Sequence, residues 1–182
     1  SWMPSFLVRF AELSQSEAGL LFGGITAVAG LLGTIVGTLA GEWATRRRPD
    51  GYLVVSGVSL AAAAPLLLAV AAHPGRTATL VLTFAALFLV MLNTGPLNTA
   101  IINSVPARIR ATAMATTIFV IHLFGDAISP TLIGMVSDWS GSLAVAVAAC
   151  ALPLLAGGLV LSFGGRSRAQ VATDVGIGAA RS

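Results

Sequence analysis

The chain has 182 residues, of which 56% are hydrophobic and only 9% are charged, and its mean hydropathy is +0.91. A soluble domain carries about a quarter charged residues, so this composition excludes a water-soluble globular protein and indicates one that lies in a lipid bilayer. The net charge is +3, and all ten basic residues are arginine.

Long stretches without acidic or basic residues lie between these arginines, and each is long enough to cross a bilayer as a helix of about 20 residues. They predict five spans, at 18–41, 51–73, 77–107, 111–137 (interrupted by Asp126) and 139–165. Turn sequences such as RRRPDG and HPGR separate them. The stretches lack the alternation of barrel strands, so we predict an all-α, polytopic bundle of transmembrane helices.

The arginines also predict the orientation of the spans, because cytoplasmic loops are enriched in basic residues. Eight of the ten arginines fall on one side of the predicted membrane, and only Arg9 and Arg76 fall on the other. The cytoplasmic loops then contain Arg46, Arg47, Arg48, Arg108 and Arg110, and the C-terminus is cytoplasmic. The high isoelectric point follows from this bias and does not indicate nucleic-acid binding.

The two ends of the chain differ from the spans between them. Residues 1–17 have no basic segment followed by an apolar one, so they do not form a signal peptide. We expect them to be the outer end of a transmembrane helix followed by an external loop, so that the chain begins in the middle of a protein. Residues 18–165 form the five-helix unit, and residues 166–182 are expected to be a disordered cytoplasmic tail.

Span one contains glycines at four-residue spacing, Gly19 with Gly23 and then Gly33, Gly37 and Gly41. Small residues at this spacing share one helix face and allow another helix backbone to approach closely. Span one is therefore expected to have a close neighbour at that face. Spans two and five carry almost no polar side chains, and we expect them to be peripheral and to face lipid.

Span three is polar near its inner end. Gly95 and Pro96 predict a kink there, and Thr94 and Asn98, four residues apart, share a face. Hydrogen bonds between helices and the lining of a cavity are equally open explanations for these side chains.

Span four carries His122 and Asp126 at the predicted bilayer centre, four residues apart on one face. Pro130 cannot donate a hydrogen bond to the carbonyl of Asp126, so Gly125 and Pro130 mark a flexible point in the helix. An ionisable group at this depth is expensive and usually functional. The pair could line an aqueous pathway or form a structural hydrogen-bond centre. A metal site is unlikely with two ligands and no further Cys, His or Glu nearby.

The stretch VIHLFGDAISPTLIGMVSDW, preceded by NSVPARIRATAMA, resembles the H-x-x-G-D-x-x-S-P-x-x-x-G-x-x-S-D signature of Spinster-like transporters, a branch of the major facilitator superfamily. The opening SWMPSFLVRF is similar to the outer end of their seventh helix, and GEWATRRR to the loop between helices eight and nine. The resemblance implies the C-terminal half of a twelve-helix transporter, the end of helix seven and helices eight to twelve. In this family helices nine and twelve lie outside the central cavity, which agrees with the apolar spans two and five.

The resemblance also implies a function. The parent protein would move an amphipathic or lipid-like solute across the bilayer by alternating access, and proton coupling is open. His122, Asp126, Asn98 and Thr94 would line the pathway, Gly125, Pro130 and Pro96 would act as hinges, and Gly33, Gly37 and Gly41 would pack against a neighbouring helix. No cofactor or catalytic residue is expected, and the absent N-terminal half is the expected partner, with the glycine face as one place where it could bind.

Two other functions remain as alternatives. The chain could be a non-transporting membrane scaffold from a truncated or split gene. It could also be an intramembrane enzyme that uses His122 and Asp126, although no G-x-S-x-G or H-E-x-x-H pattern occurs. A composition rich in Ala, Arg and Gly favours a bacterial inner membrane as the location.

Overall fold

The computed structural model describes residues 2–10, 14–72 and 75–164, apart from the side chains of residues 2, 10, 126 and 127. Within these ranges all regular structure is helical, which confirms the predicted all-α class. A short helix, Trp2–Phe10, comes first. Five helices that are long and apolar enough to cross a membrane follow: Gln15–Thr45, Gly51–Ala71, Arg76–Asn103, Ala107–Ser140 and Leu143–Gly164, spans one to five. The predicted disordered tail, 166–182, lies outside the described residues.

Span one begins three residues before the uncharged stretch because Ser14 and Glu17 form a capping box. The hydroxyl of Ser14 accepts a hydrogen bond from the backbone N–H of Glu17, and the Glu17 carboxylate accepts one from the backbone N–H of Ser14 at 3.0 Å. Two N–H groups that a helix start leaves unpaired are thereby satisfied. The helix can therefore begin with polar residues at its outer end.

Spans one and three are held together by the three predicted packing glycines, all of them buried. A Cβ on Gly33 would lie 2.6 Å from the carbonyl oxygen of Phe88, and one on Gly37 would collide with that of Leu92. A Cβ on Gly41 would lie 3.1 Å from Pro96. Each step of four residues along span one matches a step of four along span three, so the two helices run parallel in register.

This arrangement differs from the expectation that the glycine face could bind a missing N-terminal half, because span three already covers Gly33, Gly37 and Gly41. The first glycine pair behaves differently. Around Gly19 and Gly23, no heavy atom lies within 4 Å of a notional Cβ in the described structure. Spacing alone predicted a helix neighbour for both sets, and the described residues supply one only for the second.

Span three is interrupted at Asn93, between helical segments Arg76–Leu92 and Thr94–Asn103. Pro96 has no N–H and cannot bond to the carbonyl of Leu92 four residues earlier. That carbonyl oxygen lies directly against Gly37, where a Cα–H can contact it as a weak donor. The hydroxyl of Ser56 in span two donates to the carbonyl oxygen of Asn93 at 3.4 Å. The interruption is therefore packed on both sides.

Spans two and five approach each other closely at Gly57 and Gly158. A Cβ on Gly57 would lie 2.6 Å from the carbonyl oxygen of Gly158, and one on Gly158 would lie 2.7 Å from that of Gly57. Span two also buries Ser56, Ser59, Ala63 and Ala64. Span two, which we expected to face lipid and to support the other spans, thus has one closely packed face, because its small residues allow backbones to meet.

Candidate functional site

The middle of span four is a π-helix, Ile121–Ile128, between the α-helical segments Arg110–Val120 and Ser129–Ser140. A π-helical stretch is rare and often occurs at functional sites. This π-helix ends two residues before Pro130, which cannot donate an N–H to the carbonyl of Asp126. The backbone N–H of Ser129 bonds to the carbonyl oxygen of Gly125, four residues earlier, so α-helical pairing resumes at Ser129. The predicted hinge residues therefore lie in and directly after a segment with altered backbone pairing.

Span four has little contact with the rest of the bundle along its inner half and centre. None of its described side chains between residues 107 and 140 is buried. Its outer segment, Ser129–Ser140, packs on span five, whereas the π-helix makes substantial contact only with the segments on either side of it. Large apolar side chains are exposed on span four, including Phe119 at 64% just before the π-helix and Phe124 at 61% within it.

His122 lies in this π-helix and is exposed in the chain. Asp126 lies four residues further along the same segment, but its side chain is outside the described residues, so the predicted pairing of the two groups stays a prediction. Together they place an imidazole and a carboxyl group on one short stretch near the centre of span four. A partner surface or an aqueous cavity could meet them there.

The two polar residues predicted on span three lie on its inner segment, Thr94–Asn103. Thr94 is exposed and Asn98 is half-buried. That segment packs mainly on spans one and two and makes no substantial contact with the π-helix. The chain therefore does not bring Thr94 and Asn98 directly against His122, and any shared pathway would have to be open between them. Pro96, the third hinge residue, is buried in the contact with span one.

The predicted cytoplasmic arginines have distinct contacts. Arg48 forms a bidentate ion pair with Asp50, at 2.7 and 2.9 Å, and the Arg47 guanidinium lies 3.9 Å from the centre of the Trp43 ring. The Nε of Arg110 donates to the carbonyl oxygen of Ile102 at 3.2 Å and closes the turn between spans three and four. Arg46 and Arg108 are exposed.

Two features of the structure were not predicted from the sequence. The first is the Gly57–Gly158 contact, for which the small-residue pairs at 56–57 and 157–158 were the available signal. The second is an apolar groove beside Arg47. Within the described ranges, no three His, Cys, Asp or Glu side chains come close enough together to hold a metal ion.

The chain is similar to named transporters. It is 33% identical over 150 residues to the sphingosine-1-phosphate transporter SPNS2 of Xenopus tropicalis, which covers 75% of this chain and 29% of that protein. It is 33% identical over 150 residues to protein spinster of Drosophila melanogaster, with 75% and 24% covered, and 30% identical over 125 residues to a probable sphingolipid transporter, spinster homolog 2 of Arabidopsis thaliana, with 69% and 26% covered.

The chain spans less than a third of the length of these relatives. No family model matches it. The similarity nevertheless extends over most of the chain in animal and plant proteins alike, and the five described spans agree with an integral membrane protein. With its sequence signature in span four, the chain belongs to the Spinster-like family of the major facilitator superfamily.

Proposed function

We propose that this chain is the C-terminal half of a secondary transporter. We assign residues 2–10 to the end of helix seven, residues 15–164 to helices eight to twelve, and residues 166–182 to a cytoplasmic tail. The five apolar spans and the fraction of the relatives that they cover support this assignment. The arginine bias supports a cytoplasmic C-terminus, and the composition favours a bacterial inner membrane.

The solute is an amphipathic, lipid-like molecule. The names of the relatives, which include sphingosine-1-phosphate and sphingolipid transporters, support this class of substrate. Three of the relatives are named as transporters, which also argues against the intramembrane enzyme. A scaffold from a truncated gene remains the competing explanation, and a transport measurement separates the two.

One observation carries the proposal: the centre of span four combines an imidazole and a carboxyl group with a π-helix and has no substantial contact with any other described helix. In a transporter built from two halves, such a face is covered by the other half or lines the cavity between them. The two halves then rock about a site near the bilayer midplane. His122 and Asp126 hold water, substrate or a proton there, and Thr94 and Asn98 line the pathway further in.

Backbone groups released from regular pairing are tolerated at membrane depth where they meet protein or water. The π-helix with Gly125 and Pro130 therefore suits a point at which span four bends as access alternates. Pro96 provides a second interruption in span three.

The experiment uses the complete transporter, including the N-terminal half, in proteoliposomes with radiolabelled sphingosine 1-phosphate as probe. We expect Asp126→Asn to abolish uptake while the protein still folds and inserts. The matched control is Asp138→Asn, which removes an exposed carboxylate at the outer end of the same span, and uptake should be retained there. If Asp126 exchanges protons, imposing a pH gradient should change uptake by the native protein, and Asp126→Glu, which keeps a titratable carboxyl group, should keep a response to the gradient.

Unchanged uptake in Asp126→Asn would show that the Asp126 carboxyl group has no role in the transport pathway. Failure of the complete native protein to move any lysolipid or sphingoid probe would favour the scaffold.

A further inference from the structure

A groove of about 410 Å³ runs along spans one, two and three from the end that carries the arginine loop. Its walls are apolar and come mainly from Val54, Val58, Ala62, Leu89 and Leu92. Ser59 also lines it, but that side chain is almost fully buried and its hydroxyl donates to the carbonyl oxygen of Ser56. The groove therefore offers an apolar occupant a surface without unsatisfied polar groups.

The mouth of the groove is aromatic and basic. Trp43, 57% exposed, and Arg47 line it, with the Arg47 guanidinium 3.9 Å from the centre of the indole ring. Arg48 also lines the mouth, but Asp50 neutralises it through a bidentate ion pair. In the described part of the chain, no ion pair neutralises Arg47. Residues 42–50 contain three arginines against Glu42 and Asp50, so the mouth is net positive.

The groove has the depth of one leaflet. Val54 and Ala62 are eight positions apart in span two, which corresponds to about 12 Å along a helix. Half of the hydrocarbon core is about 15 Å thick. The groove therefore starts at the interface, where tryptophan and arginine are usually found, and ends near the bilayer centre.

We propose that this groove is a binding site for an anionic phospholipid, with one acyl chain between spans one, two and three and the phosphate beside Arg47. The apolar walls match the chain, the positive mouth matches the phosphate, and the depth matches a lipid of the adjoining leaflet. His122, Thr94 and Asn98 do not line the groove. The site is thus separate from the proposed pathway and holds a resident lipid rather than the transported solute.

Trp43 provides a direct reporter. The complete protein, with its other tryptophans replaced by phenylalanine, is reconstituted in phosphatidylcholine vesicles containing lipids with brominated acyl chains, which quench nearby indoles. Quenching by brominated phosphatidylglycerol is compared with quenching by brominated phosphatidylcholine, each relative to its unbrominated form so that changes in basal fluorescence cancel. We expect the anionic lipid to quench at lower mole fraction.

Two variants test the mouth and the inner end of the groove independently. Arg47→Gln should lower the preference for the anionic lipid about fivefold, the usual effect of one arginine at a lipid surface. Ala62→Phe fills the inner end of the groove and should reduce quenching by both brominated lipids. Arg108→Gln is the control, because it removes an exposed arginine of another loop on the same predicted side, and the preference should be unchanged.

Equal quenching of the parent protein by both lipids would overturn the proposal. So would a preference for the anionic lipid that persists in Arg47→Gln, or one that falls equally in Arg108→Gln, since the attraction would then belong to the whole surface. Quenching that is unaffected by Ala62→Phe would show that the acyl chain does not enter the groove.

Discussion

At the scale of single residues, the close contact between spans one and three depends on the absence of a side chain at Gly37. The carbonyl oxygen that Pro96 leaves without its helical donor occupies the space where a Cβ would be. Leu92 thus finds a contact on a different helix from its own. A proline in span three is thereby matched by a glycine at the same depth in span one.

We predict that Gly37→Ala lowers the free energy of unfolding by about 1–3 kcal/mol, the usual cost of overpacking. Gly23→Ala is the control, because open space surrounds that position and alanine is the better helix former by about 1 kcal/mol. The two variants are compared by unfolding in mixed micelles. Equal stability of Gly37→Ala and Gly23→Ala would contradict the packing described for span one.

Residue spacing predicted small-residue faces but could not assign their neighbours. Gly19 and Gly23 have the same spacing as Gly37 and Gly41, yet only the second pair meets another described helix closely. Spacing shows which residues share a helix face, whereas the point at which two helices cross decides whether that face meets another helix. The position of that crossing is set by Pro96 and the break at Asn93, far away in sequence.

At the scale of helices, spans two and five form a pair through backbones that nearly touch. Hydropathy correctly predicted both as spans, and their lack of polar groups suggested that they face lipid. The packed face was not predicted, because glycine and alanine do not make one face of a helix differ clearly in hydropathy from the other. Small residues allow two helix backbones to approach closely, but they add no polar group that would mark the contact in the sequence.

We predict that Gly158→Ala weakens this pair whereas Gly157→Ala does not. A methyl group on Gly158 would lie 2.7 Å from backbone atoms of span two, whereas one on Gly157 would meet only a Leu60 methyl group at 3.9 Å. The stability of the two neighbouring variants is measured in the same detergent. A larger loss in Gly157→Ala than in Gly158→Ala would mean that span five is rotated from the orientation described.

The π-helix of span four gives a second prediction at this scale. Pro130→Ala supplies an N–H that can reach the carbonyl of Asp126, so the α-helical pattern becomes available through residues 121–130. We expect slower amide hydrogen exchange across that segment, together with reduced transport by the complete protein. Pro65→Ala, at an exposed proline in the α-helix of span two, should leave transport unchanged. Full transport activity of Pro130→Ala would show that transport does not depend on the π-helical backbone of span four.

At the scale of the whole molecule, the chain has two kinds of exposed apolar surface. Five spans and their order followed from composition and arginine placement, because the bilayer requires long uncharged helices. The sequence could not separate lipid-facing surface from surface that meets a second half, since both are apolar. Phe124 and Leu152 are an example, with 61% and 69% exposure near the centres of spans four and five.

We predict that these two positions differ in the complete transporter. With Cys150 replaced by alanine, a cysteine at 124 should react with a charged, water-soluble thiol reagent, because span four is proposed to border the aqueous cavity. A cysteine at 152 should stay unreactive in lipid. The extent of labelling is measured in sealed vesicles, and both cysteines should react fully after denaturation. Equal protection of the two would place the span-four face against lipid and would contradict the proposed assembly.

The two ends of span four have different anchors. The outer segment rests on span five, whereas the inner segment is attached through the short turn that Arg110 closes on Ile102. Residues 110 and 124 are separated by about 21 Å of helix, so a tilt of about 10° centred on the π-helix would move the Arg110 end sideways by about 4 Å. In the proposed transporter, a bend at the π-helix that is too small to disturb the contacts with span five would widen or narrow an opening at the Arg110 end of span four.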